Sequence, residues 1–297
     1  MKRTLWLLWA VGCAPRHTTA TPQGPLTHYS YERIYAPETV RYRLETVQFQ
    51  NGERVGRKVA LSEHTSTTDD EQIRWIRLQE EVGGVLVDRE DHALVAPYSM
   101  SLASGGSLTL PAHGVPRMDS LIKDLLTLWI AVGTAVGNPE LETVGDTWTA
   151  PEPSVGDWSN PMVPTGLDCS QPTTKMIALQ GGTARYQTTF DAPAQRCSAL
   201  DPQPLGLAAY ATEPVVYGHP NNFVQTSTDG RSFSVLWGMK SSVVSATVST
   251  TDGRILGATM DLQLQLRLLE CASEALDGCQ GPFPMDLRRR ITLQQQL

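Results

Sequence analysis

The segment at residues 116–137 constrains the fold most strongly, because it is the only long stretch in which apolar residues follow a helical spacing. These residues recur at steps of three and four positions: Met118, Leu121, Ile122, Leu125, Leu128, Trp129, Val132 and Val136. From Leu125 onward the segment is apolar nearly all round, which indicates burial on more than one side. We therefore predict one long helix, with Asp119 or Ser120 at its N-cap.

Three environments suit a helix of this kind: a protein core, the wall of an apolar groove, or a bilayer. The apolar run at residues 125–136 is shorter than the ~20 residues that a bilayer requires, and Lys123 and Asp124 bound it on one side. The sequence therefore disfavours a membrane span. It leaves open both a core helix and a helix that lines a groove.

The remainder of the chain has the pattern of β-strands joined by tight turns. Turn signals stand between the strand-like runs at Asn51-Gly52, Gly83-Gly84, Gly181-Gly182, Asp229-Gly230 and Asp252-Gly253. In residues 260–268, Met or Leu occupies every even position and a polar residue every odd one, as in a half-buried antiparallel strand. We predict a mainly β fold, in which a curved, half-barrel-like antiparallel sheet packs around one long helix.

Two finer expectations concern single strands. Apolar residues lie at even positions up to Leu44 and at odd positions from Val47, so we predict a β-bulge near Glu45 and Thr46. In the C-terminal strand, Leu287, Ile291 and Leu293 share one face with Arg289. A charged side chain on an apolar face is typical of a protected sheet edge.

Size and charge narrow the functional classes. The chain has 297 residues, of which 40% are hydrophobic, and a net charge of −7. Without Lys2 and Arg3, which belong to a segment expected to be removed, the charge is −9 (−7 minus 2). This balance argues against nucleic acid and against an anionic membrane surface as electrostatic partners.

Residues 1–12 have the pattern of an export signal: a basic start, then a short apolar run that ends before Cys13. The segment resembles the lipobox of bacterial lipoproteins, because Val11, Gly12 and Cys13 match it, while Ala10 stands where that family usually has Leu. The resemblance implies cleavage before Cys13, a diacylglyceryl thioether on its sulfur and an acylated amine. A plain secretory signal with a coincidental cysteine is the alternative.

The lipobox resemblance also predicts location and domain organisation. Residues 13–27 are small, polar and Pro-rich, so they form a lipidated flexible tether, and residues 28–297 form one β-rich domain. Several acyl chains together anchor a protein firmly in a membrane. Ala14 follows the cysteine where Asp would favour retention at the inner membrane, so we expect the outer membrane, facing the periplasm.

The cysteine count agrees with this organisation. There are five cysteines, and removing Cys13 leaves an even four. Cys169 and Cys197 flank a predicted hairpin at residues 175–190, and Cys271 and Cys279 bound a short loop. Paired strands bring the ends of a hairpin together, so we predict the disulfides Cys169–Cys197 and Cys271–Cys279.

A short motif after the helix, Val144-Gly145-Asp146-Thr147-Trp148, resembles a V-G-D-x-W segment of uncharacterised bacterial envelope lipoproteins. It has a near repeat at residues 155–158. Turn chemistry explains the motif without any specific function, because Gly-Asp bends the chain and Trp packs as an anchor. We use the resemblance only for the class of protein.

No catalytic, metal or cofactor motif emerges from the sequence. It contains no nucleophile elbow, phosphate loop or H-E-x-x-H zinc pair. Two acidic clusters lack calcium-loop spacing and are more simply solvated hairpin loops; they are Glu63-His64 with Asp69-Asp70-Glu71, and Asp88, Glu90, Asp91 and His92. We therefore expect no enzyme, no metal and no cofactor.

Two functions from different classes remain. In the first, the protein binds a lipid or other apolar ligand in a groove between sheet and helix, lined by Leu125, Trp129 and Val132. This organisation is similar to that of bacterial lipoprotein carriers with a half-barrel fold. In the second, the protein is a structural or interaction lipoprotein of the envelope, with a filled core and no ligand.

Overall fold

A computed structural model describes residues 33–67, 70–100, 115–133, 135–149, 166–168, 172–189, 222–228, 233–273 and 277–296. Every structural statement below concerns these residues. Several predictions lie outside them: the signal and tether at residues 1–27, the Cys169–Cys197 disulfide, the motif repeat at residues 155–158 and the Asp229-Gly230 turn.

The described residues form thirteen strands, one α-helix and one 3₁₀ turn. The strands are β1 (Glu38–Gln50), β2 (Glu53–Ser66), β3 (Glu71–Val82), β4 (Val85–Arg89), β5 (Tyr98–Ser99), β6 (Thr147–Thr149), β7 (Gly166–Asp168), β8 (Thr173–Gln180), β9 (Thr183–Thr189), β10 (Asn222–Thr228), β11 (Phe233–Ser249), β12 (Ile255–Cys271) and β13 (Gln280–Gln296). The 3₁₀ turn is Asp91–Leu94, and helix α1 is Pro116–Gly133.

All strands belong to one antiparallel sheet. The main order is β4-β3-β2-β1-β13-β12-β11-β9-β8-β6, while β5 pairs with β3, and β10 pairs with β11 and β7. The first strand of this sheet therefore lies beside the last, near the middle. Among the described strands, β4 and β6 end the order without pairing to each other, so the sheet is open. The prediction of a mainly β, antiparallel fold is confirmed.

Tight turns join neighbouring strands where the sequence predicted them. The β1–β2 turn places Asn51 at φ 51° and Gly52 at φ 85°, the left-handed conformation that a two-residue hairpin turn requires. The β3–β4, β8–β9 and β11–β12 connections likewise coincide with predicted glycine turns. Sequence-local turn chemistry therefore sets much of the strand order.

The helix is shorter than predicted, because it ends at Gly133 and a turn follows. It also begins earlier than the predicted N-cap: Pro116 is its first residue, a position that suits a residue without an N–H donor. Asp119 lies inside the first turns and its Oδ1 accepts a hydrogen bond from the Val115 N–H at 2.7 Å. No helix in the described part of the chain has the length and hydropathy needed to span a bilayer.

One face of the sheet carries the core, and we call it the inner face. The side chains of Tyr42 and Leu44 project from β1 on this face, and α1 packs on the same face. The largest fully buried side chains come from both the helix and the strands: Tyr42, Tyr186, Leu44, Ile73, Leu78, Met100, Met118, Leu121, Leu125, Leu128, Leu141 and Met176. Helix and sheet therefore share one hydrophobic core.

Two expectations about single strands are wrong for related reasons. Thr46 continues the inner face of β1, 5% exposed, and the register shift falls between Gln48 and Phe49. Arg289 does not protect an edge, because β13 lies between β1 and β12. Both expectations assume that the inner face is wholly apolar. Thr46 and Arg289 face inward, however, and both donate hydrogen bonds to the Asp124 carboxylate of α1.

Two local predictions from the sequence hold. Cys271 and Cys279 form the predicted disulfide between the end of β12 and the residue before β13. In the V-G-D-x-W motif, Asp146 Oδ2 accepts hydrogen bonds from the Glu142 and Thr143 N–H groups at 3.0 and 2.6 Å. Trp148 is partly buried against the core. The motif is therefore a turn with an aromatic anchor.

Candidate functional site

The three predicted groove residues of α1 lie in the hydrophobic core. Leu125, Trp129 and Val132 are 0%, 3% and 1% exposed. They belong to the same hydrophobic core as the buried residues of the sheet, so their stripe is not open to solvent. A role for these residues in ligand binding stays a prediction, and the open part of the inner face lies elsewhere.

A polar chain of three side chains is buried below α1. Ser62 and His64 are two positions apart on β2, so both side chains lie on the inner face. The Ser62 hydroxyl lies 3.0 Å from His64 Nε2. His64 Nδ1 lies 3.4 Å from Oε1 of Glu71, which begins β3. The three residues are 0%, 0% and 1% exposed. The buried carboxylate thus has an imidazole as its neighbour.

Two aromatic rings enclose this chain. The rings of Tyr42 and Trp129 lie 4.6 and 5.2 Å from the His64 ring, and 6.1 Å from each other in a perpendicular arrangement. The Tyr42 hydroxyl donates to the Ile255 carbonyl at 2.7 Å, and burial raises the pKa of its phenol well above the usual range. Trp129 Nε1 has no hydrogen-bond partner among the described residues.

The order hydroxyl, imidazole and carboxylate is that of nucleophilic hydrolases. A substrate must reach the hydroxyl, however, and Ser62 has no exposed surface. In this structure the chain from Ser62 to Glu71 is therefore enclosed where β2 and β3 meet α1.

The two acidic clusters that the sequence singled out are divided by the fold. In the first, Glu63 faces outward and accepts hydrogen bonds from Arg41 and Arg74, while His64 and Glu71 are buried on the inner face. Their burial contradicts the expected solvated loop. Among the described residues, no group of three or more His, Cys, Asp or Glu is placed to hold a metal ion.

In the second cluster, two carboxylates form ion pairs with arginines. Asp88 accepts a hydrogen bond from Arg77 at 2.7 Å, and Asp91 accepts one from Arg117 at 3.1 Å. The neighbouring His92 Nδ1 lies 2.9 Å from the Arg89 carbonyl. These contacts tie β4 and the 3₁₀ turn to β3 and α1, so the cluster has a structural role.

An open apolar surface lies on the inner face beside α1. Strand pairing places Leu264 opposite Leu287, on the face that holds the buried Ile291 and Leu293. We call the partly exposed apolar residues of β12 and β13 on this face the aliphatic strip: Leu262, Leu264, Phe283, Met285 and Leu287. Phe283 is 46% exposed, and the other four are half-buried.

A charged contact between helix and sheet adjoins the strip. Arg289 donates to Asp124 Oδ2 at 2.7 Å and to the Ser120 carbonyl at 3.2 Å, while the Thr46 hydroxyl donates to the same carboxylate oxygen at 2.6 Å. Arg289 lies directly opposite Leu262, the member of the strip nearest to the core. The contact fixes α1 across β1 and β13 and borders the strip.

Two half-buried lysines stand near this contact. Lys58 Nζ donates to the Arg117 carbonyl at 2.9 Å and lies 3.5 Å from the Ser120 hydroxyl. Burial lowers the pKa of the Lys58 and Lys123 ammonium groups, and the charge of Arg289 lowers both further. Neither lysine forms an ion pair with another described residue within 4.0 Å.

Burial also raises the pKa of the Asp124 carboxyl, although Arg289 and the Thr46 hydrogen bond act in the opposite direction. A raised pKa in the folded state means that the folded protein binds the proton more tightly than the unfolded chain. The stability contributed by this group is therefore fully present below the unfolded pKa of about 3.9. It is lost as the pH rises through the folded pKa.

We predict that Asp124→Asn gains stability relative to the parent as the pH rises above about 4, because Asn cannot ionise in the buried position. Denaturant unfolding of both proteins between about pH 3 and pH 7 measures the difference. It should change in favour of the Asn variant and then level off above the folded pKa. A relative loss for the variant with rising pH would show that the Arg289 ion pair outweighs burial.

The sequence predicted the apolar residues of this surface but not the inward position of its charged residues. The alternation at residues 260–268 and the face of Leu287 were both predicted. The sequence pattern indicates a sheet edge for Arg289, and it indicates for Lys123 and Asp124 only the start of the apolar run at residues 125–136. The sequence feature that could have indicated this contact is a charged residue at a position where burial is expected. Arg289 in β13 and Asp124 in α1 are two such residues of opposite charge.

Comparison with known proteins adds little to this geometry. No family model matches the chain, and no curated protein matches it. A solved structure concerned with lipid–protein interactions in lipovitellin is similar with a TM-score of 0.45 and 11% identity. The similarity covers 89% of this chain and 25% of the lipovitellin chain. At so low a similarity we draw nothing about function from it.

Proposed function

We propose that this protein is a lipid-anchored protein of the bacterial cell envelope that binds an apolar chain along the aliphatic strip, between α1 and the open part of the inner face. In this proposal the sheet curves as a half-barrel around the helix. The supporting observation is that β12 and β13 present a continuous, partly exposed aliphatic surface beside the core.

The dimensions of the strip suit an extended acyl chain. The strip runs from Leu262 to Phe283, which pairs with Leu268; six residue steps separate Leu262 from Leu268 on β12, which corresponds to about 20 Å at the usual rise of a strand. Two adjacent strands supply paired side chains along this length, such as Leu264 with Leu287. Each methylene group removed from water contributes about 0.8 kcal/mol, so a long chain offsets the cost of association.

A second candidate is an interaction or structural lipoprotein without a ligand. In both candidates Leu125, Trp129 and Val132 belong to the buried core under α1. The two candidates make the same statement about this region and differ only in the use of the strip. Ligand binding at Leu264 and Leu287 therefore separates them.

Titration with a fluorescent fatty acid tests the binding proposal. The full chain carrying Cys13→Ser, freed of lipid, should bind the probe saturably, and Leu264→Gln with Leu287→Gln should weaken binding at least about tenfold. Gln263→Ala is the matched control, because Gln263 is exposed on the opposite face of the same strand. Unfolding curves establish that the variants are folded. Absence of saturable binding in the parent would leave the structural role as the better candidate.

The anchor is proposed from the segment that ends at Cys13 and from the odd cysteine count. Mass spectrometry of the N-terminal peptide from membrane-extracted protein should find a chain that begins at Cys13 and carries acyl groups. Cys13→Ser should release the protein from the membrane fraction. An unmodified N-terminus elsewhere, or a Cys13→Ser protein that stays membrane-bound, would contradict the anchor while leaving the strip untouched.

A further inference from the structure

Strand β4 stands at one end of the sheet, and one of its two edges is open. It pairs with β3 on one side, and no other described strand pairs with it on the second side, which we call the free edge. The strand contains no Lys, no Pro and no register shift against β3, which are features that commonly keep an edge from pairing. The free edge can therefore accept a further strand.

Exposed apolar side chains gather at this end of the sheet. Val82, Val85 and Val87 are each at least 40% exposed, and the pairing of β3 with β4 places them on the inner face, in line with the core residue Leu78. Leu94, in the 3₁₀ turn that follows β4, is 73% exposed. Apolar residues exposed as a group, unlike single ones, indicate an interaction surface.

The β3–β4 turn determines which backbone groups of β4 point to the free edge. Its two glycines have φ of 58° and 84°, as in a two-residue type I′ turn, so the flanking residues Val82 and Val85 form a hydrogen-bonded pair. Such pairs alternate along an antiparallel ladder, so Val87 also bonds to β3. The N–H and C=O groups of Leu86 and Asp88 therefore point to the free edge.

A second copy of β4 matches these outward groups. In an antiparallel pair centred on Val87, Leu86 of each copy lies opposite Asp88 of the other, and the outward groups of both residues exchange hydrogen bonds. Val87 then lies opposite its own counterpart in a non-hydrogen-bonded pair, where side chains approach most closely. The Asp88 carboxylate keeps Arg77 as its counter-ion at 2.7 Å, so the two copies bring no unpaired charge together.

Charge and overlap select this register over its neighbours. A shift by two positions in one direction sets Asp88 opposite Asp88 of the other copy, and like charges directly opposite each other destabilise a pair. The same shift in the other direction sets Asp88 opposite Gly84, whose positive φ ends the strand. A shift by one position sets Leu86 opposite a residue that already bonds to β3.

We infer that β4 is a pairing edge for a second copy of this chain, and that an antiparallel β4–β4 contact with its two-fold axis at Val87 joins the two sheets. Five paired residues cover about 17 Å of edge. This contact is smaller than a standard protein interface, so the dimer is a weak one. The inference is independent of the proposed ligand, because β3, β2 and β1 separate β4 from the aliphatic strip.

Cysteine cross-linking tests the contact and its register. In the full chain carrying Cys13→Ser, Val87→Cys should form a disulfide-linked dimer under mild oxidation, because the two thiols lie within bridging distance. Val85→Cys is the matched control: it is the more exposed position, but its two copies lie four residue steps apart along the pair. Mixing Val85→Cys with Arg89→Cys should restore the cross-link. No dimer for Val87→Cys above the background of the Cys13→Ser parent, or equal cross-linking of Val85→Cys alone, would overturn the inference.

Leu86→Pro removes an outward N–H and keeps the bonds to β3, since proline is tolerated where an edge N–H faces solvent. In sedimentation equilibrium the dimer dissociation constant should rise at least about tenfold relative to Leu86→Ala, because each dimer loses two backbone hydrogen bonds. Unfolding curves establish that both variants are folded, and fatty-acid binding to the strip should be the same in both. A dimer of equal strength in the two variants would contradict β4–β4 pairing and leave the proposed function standing.

Discussion

Replacing Trp129 by alanine is expected to lower the free energy of unfolding by about 3–5 kcal/mol. The indole is 3% exposed and packs between Tyr42 and His64, with ring centroids 6.1 and 5.2 Å away. Truncation removes the apolar contacts of the whole ring and leaves a cavity at the junction of α1, β1 and β2. Because these elements share one core, the surroundings cannot fill that space without moving the helix.

Denaturant unfolding of the parent, Trp129→Ala and Trp129→Phe measures this effect. The Phe variant is the control, because it keeps an aromatic ring and removes an indole N–H that has no partner among the described residues. Its loss should be clearly smaller than that of the Ala variant. A small loss for Trp129→Ala, accompanied by weaker binding of the fluorescent fatty acid, would place Trp129 in a ligand groove instead of the core.

Replacing His64 by leucine is expected to cost about 3–5 kcal/mol, since removal of one partner leaves the other buried without its pair. Glu71 is 1% exposed and has His64 Nδ1 at 3.4 Å, while its second carboxylate oxygen has no partner among the described residues. Leucine has a suitable size but offers nothing to a carboxylate. The Ser62 hydroxyl also loses the His64 ring nitrogen at 3.0 Å.

A double-mutant cycle separates the pair from its surroundings. Glu71→Leu alone should cost less than His64→Leu, because His64 keeps the Ser62 hydroxyl at 3.0 Å when Glu71 is removed. The double variant should recover part of the loss, as buried pairs replaced by apolar residues often do. Additive losses in the double variant would show that the two side chains do not interact and that their proximity contributes no stability.

The elements that the sequence predicts well are those specified by local chemistry. The turn at Asn51 and Gly52 needs backbone conformations that few other residues adopt, and the pattern at residues 260–268 has the two-residue period of a strand. The disulfide between Cys271 and Cys279 follows from a short loop. Such features need only neighbours in the chain, so they can be inferred without the fold.

The elements that the sequence predicts poorly depend on contacts between distant residues. Thr46 and Asp124 are 78 positions apart, and Asp124 and Arg289 are 165 apart, yet one carboxylate oxygen joins all three. Each residue alone interrupts an apolar pattern, which suggested a bulge, the boundary of an apolar run and a sheet edge. Only the position of α1 on the inner face shows that the interruptions belong to one contact.

The same reasoning explains why the predicted groove and the open strip differ. Helical periodicity shows that Leu125 and Trp129 are apolar neighbours, but it does not show what covers them. The sheet covers them, and the partly exposed apolar surface lies one step further along β12 and β13. The strip is visible in the sequence as alternation, but its partial exposure is not.

Photoaffinity labelling with a diazirine-bearing fatty acid tests the central claim most directly, because it reports where an apolar chain lies. The account predicts saturable labelling of the full chain, with insertion at Leu264, Met285 or Leu287 and competition by unlabelled dodecanoate. Labelling that is not saturable, or that falls equally on the outward neighbours Gln263 and Arg288, would contradict a binding site on the aliphatic strip.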